Sequence, residues 1–426
     1  MISASDSHYD IIVAGGGMTG SCLALALEPL ELRVAMVEAV ARDNPSQPSF
    51  DDRSTALSRS SQRMFEAMGL WPAIVAASTP IASIHVSERG GFGFSHIDAA
   101  EQNVEALGYV VINRVLGEVL QEALSTRQGP DVLCPQRISA VQALVDHVAV
   151  TVTGERGARN LTCSLLVAAD GAGSTVRQLL GIRSKRIDYG QRAVTGNLRP
   201  EKPMANRAFE RFTDSGALAL LPVTEGRAAF VWCLPRLDAD HVMQLSDGDF
   251  TKRLQTAFGY RLGTLGEVGR RISYPLELTR AAHLTARRSV LIGNAANGLH
   301  PVAAQGFNLG LRDVAALCDC IADALRDDAD RAAIGGDRVL DSYAEWRRPD
   351  HRKVVQFTDG LVRLFGSERK PLRALRSLGM LGFDLVPGVR SLFARHTMGL
   401  AGRLPRLSRG VPLIGQGDPG RIHRTA

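Results

Sequence analysis

The sequence predicts an α/β protein. A parallel-sheet domain is interleaved with an antiparallel sheet, and a helical region follows at the C-terminus. Three observations carry that expectation. An apolar run near the N-terminus passes through a glycine-rich turn into a helix and then into a second apolar run. Segments around Leu165 and Val290 repeat the change from short apolar run to turn to helix. Between Gly190 and Tyr274 the pattern switches to short β-type runs.

The first element is "YDIIVAGGGMTGSCLALAL". Tyr9–Ala14 has the continuous apolar character of a buried strand. Gly15, Gly17 and Gly20 form G-x-G-x-x-G, and Met18 and Thr19 open the helix that runs to Leu27. A second strand, "LRVAMVEA", ends in Glu38, 23 positions after Gly15. This is a βαβ unit of Rossmann type. Gly15 permits the tight turn, Gly17 lets the backbone approach a pyrophosphate, and Gly20 lets helix pack on strand. The helix mouth offers unpaired N–H groups and positive potential to phosphates. Glu38 is placed to accept from an adenosine ribose. The spacing alone is weak: "GQGDPG" at Gly415–Gly420 also matches, but Pro419 and the chain end leave no helix to follow.

The second element is "LLVAADGAGSTVRQLLGI". Leu165–Ala169 is a short apolar strand, Asp170-Gly171 breaks it, and Ser174 caps a helix to Leu180. An acid at a strand's carboxyl end sits where open α/β sheets bind ligands. The third is "VLIGNAANGLHPVAAQGFNLGLRDVAAL". Ser289–Ile292 fits a strand, Gly293-Asn294 ends it, and apolar residues at three-and-four spacing from Leu311 to Leu325 predict a helix opening near Asn308. Gly306 and Phe307 can present backbone N–H groups to an anion there.

The runs "RAFERF", "ALALLPV" and "AAFVWCLP" predict an antiparallel second layer. A pocket between it and the dinucleotide domain suits an aromatic ligand, with Phe212, Phe230 and Trp232 as candidate lining.

With 426 residues the chain is long enough for two or three domains of about 150 residues. Composition is globular, at 45% hydrophobic and 22% charged. The net charge of +6 is uneven: Leu361 to Ala426 hold 12 Lys/Arg against 3 Asp/Glu, so the body is net acidic. That argues against a nucleic-acid partner and for an anionic surface near the C-terminus, such as a membrane. There Arg373, Arg376, Arg390, Arg395 and Arg403 recur among Leu, Met and Phe, as either a basic amphipathic face on lipid or a packed helical subdomain. The six cysteines are scattered without a metal-ligand pattern and read as reduced core thiols of a cytoplasmic protein. No signal peptide is expected before the first strand, and no apolar run approaches the ~20 residues of a membrane span.

In this order and at these distances, the three segments resemble the class A FAD-dependent aromatic hydroxylases, with the p-hydroxybenzoate hydroxylase fold. "DDRSTALSRSSQRMFEAMGLW" (Asp51–Trp71), "RAFERFTDSGALALLPV" (Arg207–Val223) and "HPVAAQGFNLGLRDV" (His300–Val314) are similar to the ubiquinone-biosynthesis branch, in particular its 2-polyprenyl-6-methoxyphenol hydroxylases. The similarity runs from about Tyr9 to near Met398.

The resemblance implies a discontinuous FAD-binding domain (1–75, 100–185 and 275–345), a substrate domain (76–99 and 186–274) and a C-terminal helical, basic region (346–426). It implies FAD bound through Gly15, Gly17, Met18, Thr19, Gly20, Glu38, Arg53, Arg114, Asp170, Gly293, Asn294, Pro301, Gly306, Phe307 and Asn308. Asn294 stands where the wider family has Asp, keeping an acceptor oxygen and losing the charge. Electrons would come from NAD(P)H, for which no second βαβ unit is seen or expected. Oxygen would be delivered from O2 through a C4a-hydroperoxyflavin to the ring of a polyprenyl phenol, with His300 a candidate proton carrier. Peripheral contact with the inner face of the cell membrane and with members of a ubiquinone-synthesis complex is a further expectation. The rival readings are an FAD-dependent reductase of polyprenyl compounds and a non-catalytic lipid-binding member of such a complex.

Overall fold

The structure is a computed structural model. It describes residues 8–41, 51–91, 93–127, 129–155, 157–299, 305–328, 330–365 and 387–414. Five parallel strands form its centre, in the order Asp131–Leu133, Val34–Val37, His8–Ala14, Gly157–Ala168 and Ser289–Leu291. Ile11, Ile12, Val13, Ala35, Val167 and Val290 are fully buried. That is expected of a parallel sheet covered on both faces. The strand Gly157–Ala168 is longer than "LLVAA" suggests: its first half, from Gly157, pairs antiparallel with Val148–Gly154.

The helix Met18–Leu27 packs against Gln305–Asp327. Small residues make that approach possible. A Cβ on Gly293 would lie 3.1 Å from Thr19 Cγ2, and one on Gly310 would lie 3.3 Å from Thr19 Oγ1. The glycines of the Val290 segment thus serve helix packing as well as access to a ligand. The second of these helices is already formed at Gln305, earlier than its apolar periodicity shows.

A second sheet runs Ile272–Ala281, Ser184–Pro200, Ala228–Pro235, Gly216–Pro222, Arg207–Thr213, Ser83–Glu88 and Phe94–Asp98, antiparallel except between Arg207–Thr213 and Ser83–Glu88. The strand Ile272–Ala281 crosses the expected boundary between 274 and 275. Side chains alternate across this sheet with period two. In "ALALLP" Leu218 and Leu220 point into one core while Ala217, Ala219 and Leu221 line a cavity on the other face. Two helices unread in the sequence, Arg236–Gln244 and Asp247–Phe258, cover the leucine face. Phe250 packs there on Phe230 and Trp232, at 5.6 and 6.1 Å between ring centroids. A smaller sheet of Ser54–Ser58, Gly108–Ile112 and Ser78–Ile81 completes the body.

In the C-terminal region, the helix Pro387–Thr397 rests on the body through Ala394, with Met398 just beyond it, and Arg390 pairs with Glu101. The Arg403 guanidinium lies 3.9 Å from the Trp346 ring centre. These described parts are packed rather than free; Arg373 and Arg376 lie outside the described residues. Among the described residues no helix is long and apolar enough to cross a membrane.

Candidate active site

The carboxyl ends of all five parallel strands open on one side, into a cavity of about 1340 Å³. This is where a doubly wound sheet binds its ligand. After His8–Ala14 comes Gly15, with φ +100°; a Cβ there would lie 2.6 Å from the Ala169 carbonyl oxygen. Gly17 is the N-cap of the first helix and supplies no side-chain cap, and that helix has no acid in its first turn. Its unpaired N–H groups therefore stay available, with Gly17, Met18 and Thr19 on the cavity wall. Gly20 lies behind the wall, where a Cβ would meet the Gly15 carbonyl oxygen at 2.0 Å. After Val34–Val37 comes Glu38, whose carboxylate accepts from Gly16 N at 2.6 Å and Val40 N at 2.7 Å. Two oxygens offer about four lone-pair sites, so acceptor capacity remains for a ligand's hydroxyls.

Asp170 follows Gly157–Ala168 and also lines the cavity. It accepts from Ser174 Oγ and from Val176 N at 3.1 Å, and Ser174 Oγ in turn caps the short helix by accepting from Arg177 N. The acid is therefore both a turn former and a cavity group. Arg177, unread in the sequence, donates to Ala295 O and Ala172 O, both at 2.8 Å, and ties this turn to the one carrying Asn294.

That last turn is braced from below. Asp313 accepts from Gly293 N at 3.0 Å, Arg347 Nε at 2.7 Å and His351 Nε2 at 2.6 Å. The Asn297 amide nitrogen bonds His351 Nδ1, which fits an imidazole protonated on Nε2. Burial would raise the Asp313 carboxyl, but His351 and Arg347 outweigh it and hold the group below the usual range.

Arg53 lines the cavity, held by Asp51 at 2.5 Å and lying 5.2 Å from the Tyr274 ring centre. Burial pushes the Tyr274 phenol up to about 12, so it stays neutral in ordinary buffers. Asn294, Gly306 and Phe307 are also on the wall, and a Cβ on Gly306 would meet nothing within 4 Å.

Two of the expected residues have side chains that stand off the wall. Arg114 is not on the wall: it is half-exposed and pairs with Asp52 and Glu118, while Asn113, one residue earlier, faces the cavity. The helix starting at Asn113 turns successive side chains by about 100°, so a single position separates wall from solvent. The Asn308 side chain is turned inward. It accepts from Ser58 N and Ser61 Oγ and donates to Ala56 O, joining three segments instead of facing the ligand space. Gly293 lies just behind Asn294. His300 and Pro301 lie outside the described residues.

The cavity continues from the glycine turn to the second sheet. Its far walls are Ile84, Val86, Ala208, Phe212, Ala219 and Val231, with Phe393 of the C-terminal helix. Phe230 reaches the wall beside Gly196, whereas Trp232 belongs to the opposite core. Glu210 stands in this largely apolar stretch, with the hydroxyls of Ser95, which pairs with Val86, and of Thr397 on the same wall. Gln136, Arg137 and Ile138, which follow the strand Asp131–Leu133, line the dinucleotide end and carried no motif in the sequence. Among the described residues no acid, histidine and cysteine cluster is arranged for a metal ion, and all six cysteines are free.

A glycine turn and an uncapped helix mouth open onto a largely apolar chamber, a layout that fits a dinucleotide held beside a second molecule. Residues 8–358 match the FAD binding domain family, and the chain belongs to that family. It is an FAD-dependent monooxygenase. It is 34% identical over 413 residues to the ubiquinone hydroxylase UbiL of Rhodospirillum rubrum, covering 96% of this chain and 95% of that one. It is 28% identical to the 3-demethoxyubiquinol 3-hydroxylase of Escherichia coli, over 92% and 98% of the two chains. The crystal structure of p-nitrophenol 4-monooxygenase PnpA from Pseudomonas putida shares the fold, with a TM-score of 0.75 at 19% identity over 92% of this chain and 98% of that one.

Proposed function

We propose that the chain hydroxylates the aromatic ring of a polyprenyl phenol of ubiquinone biosynthesis, of the 2-polyprenyl-6-methoxyphenol type, using NAD(P)H and O2. The observation that carries this reading is the continuity of one cavity from Gly15 and Glu38 to the alanine-lined sheet. The relatives named as ubiquinone hydroxylases support the substrate class.

The residues present fit FAD: a glycine turn that a Cβ would fill, an uncapped helix mouth and a carboxylate with spare acceptor capacity. Gly15, Gly17, Met18 and Thr19 would hold the pyrophosphate, Glu38 the ribose, and Arg53, Asp170 and Asn294 the region toward the ring. Gly306 and Phe307 would present the N-terminus of their helix to the ring's anionic edge, stabilising it by about 0.3–2 kcal/mol. The chemistry that FAD supplies when bound is activation of O2 at its C4a carbon after reduction by NAD(P)H. The chain's own work is orientation and exclusion of water. Ala208, Ala217 and Ala219 leave room for a flat ring, and Phe212 and Ile84 give it apolar walls. A peripheral membrane contact would let a long isoprenoid tail stay in lipid while the head enters.

The test is spectroscopic. The purified chain should carry yellow flavin that NAD(P)H bleaches, faster when 2-prenyl-6-methoxyphenol is present, with a hydroxylated product and O2 uptake. Bleaching without O2 uptake into product would favour a reductase; a chain that neither binds FAD nor responds to NAD(P)H would favour a lipid-binding role.

A further inference from the structure

Among the described residues the reading above assigns no acceptor to the proton of the substrate's hydroxyl, and the cavity wall holds a group suited to it. Glu210 lies mid-strand in Arg207–Thr213, paired across the sheet with Ala219 on one side and Val86 on the other. Along its own strand the same face carries Ala208 and Phe212. All four neighbours are apolar. A strand position facing an apolar chamber ordinarily takes an apolar side chain, because an unpaired carboxylate there is costly.

Glu210 is partly exposed, on the wall of the cavity. Among the described residues no side chain or backbone group donates to its carboxylate. The titratable groups on the surrounding walls are few. Cys233, on Ala228–Pro235, is the one close enough for its thiol to feel the carboxylate, which adds to burial in raising it. Tyr274 and Glu277 come from Ile272–Ala281, and Arg53, Asp170 and Glu38 from the dinucleotide end. From Ser83–Glu88 the charged residue on the same face is Glu88, paired across the sheet with Phe212, and the helix Pro387–Thr397 contributes Phe393 and Thr397 to the wall.

Resting on the hydroxylase reading, we propose that Glu210 is a catalytic residue: its carboxylate accepts a hydrogen bond from the phenol hydroxyl and takes that proton as the ring is attacked. The O–H bond of the phenol breaks, an O–H bond to Glu210 forms, and the electron pair left on the oxygen enriches the ring carbons ortho and para to it. No redox change occurs in this step. The apolar neighbours that make the carboxylate costly also make it a stronger acceptor. Burial alone pushes Glu210 up to about 7, so the base form makes up about half near neutrality and grows above it. The sign is that of a base: kcat/KM should climb with pH through about 7 and then level off.

The test uses the full FAD-loaded chain with 2-prenyl-6-methoxyphenol and its methyl ether, comparing wild type, Glu210→Gln and Glu210→Leu. Leucine suits the apolar surroundings, so folding is not at issue. Glutamine can still accept a hydrogen bond but cannot take a proton at this pH. The expected result for Glu210→Gln is a near-unchanged Kd for the phenol, a fall in product formation of about 100-fold, within the 10²–10⁴ typical of general bases, and loss of the climb near neutral pH. Glu210→Leu should in addition lose the wild type's preference for the phenol over its ether. NAD(P)H-driven bleaching of the flavin should survive in both. Unchanged product formation and pH profile in Glu210→Gln, or an unchanged phenol preference in Glu210→Leu, would overturn the role. A wild type that reduces its flavin but hydroxylates no phenol would instead sink the hydroxylase reading itself, and this role with it.

Discussion

At the scale of single residues, the site depends on positions where chemistry and sterics leave no substitute. Gly15→Ala must place a methyl group against the Ala169 carbonyl from a backbone with φ +100°. The turn has to shift, and we expect flavin affinity to fall at least tenfold in an FAD titration, while Gly173→Ala, whose Cβ would meet nothing within 4 Å from a backbone outside the left-handed region, falls less. Glu210 gives a prediction about stability. Its carboxyl rises from 4.5 in the unfolded chain to about 7 in the folded one. The folded state therefore binds the proton more tightly, so the cost of ionisation is absent below about pH 4.5, grows between about 4.5 and 7 and is complete above. Glu210→Gln should stabilise the apoprotein at about pH 8, by up to about 3 kcal/mol, and change little at about pH 4.5. Paired denaturant titrations at the two pH values check this; an equal effect at both would contradict it. Gly15, Gly17 and Glu38 were legible because their geometry is set within one local βαβ unit. Glu210 was not, because its isolation is created by Val86 and Ala219 on neighbouring strands, Val86 more than a hundred residues away in sequence. Arg114 stands off the wall for a related reason: wall and solvent are one helix step apart.

Among elements, the contact that sets the Gly293-Asn294 turn is the buried cluster of Asp313, Arg347 and His351. Removing one member of a buried ion pair strands the other, at a cost of about 3–5 kcal/mol. Asp313→Ala should therefore lower the unfolding free energy by roughly that amount and loosen flavin binding through Asn294. Denaturant unfolding with a flavin-fluorescence readout measures both. A loss under about 1 kcal/mol would show that water or repacking satisfies Arg347 instead. The elements that repeat a simple period were readable. The A-L-A-L alternation of Ala217–Leu220 announces a two-faced strand, and its small-residue face is the ligand chamber. The helices Arg236–Gln244 and Asp247–Phe258 were not read, since their apolar residues are fewer and their role is to cover the leucine face of a sheet assembled from distant strands.

For the whole molecule, ligand and fold are linked through one cavity. FAD that binds the folded chain alone stabilises it by about 2.7 kcal/mol at a hundred times its Kd. Stripping the flavin should lower the melting midpoint and adding it back should restore it; an unchanged midpoint would mean that the glycine turn and the sheets are not coupled through the cofactor. The parallel centre and the inserted antiparallel sheet were visible from the order of strand, turn and helix. What composition could not show is that the C-terminal helix Pro387–Thr397 comes back to wall the chamber with Phe393 and Thr397, because a basic, apolar tail reads equally as a lipid-facing surface. We propose that this chamber holds a phenol against a flavin that activates O2. The most direct test is turnover of 2-prenyl-6-methoxyphenol with NAD(P)H under isotopically labelled O2, followed by mass spectrometry of the product. One labelled oxygen atom on the aromatic ring is expected for each molecule formed. A ring oxygen drawn from water, or a consumed reductant with no oxygenated product, would contradict it.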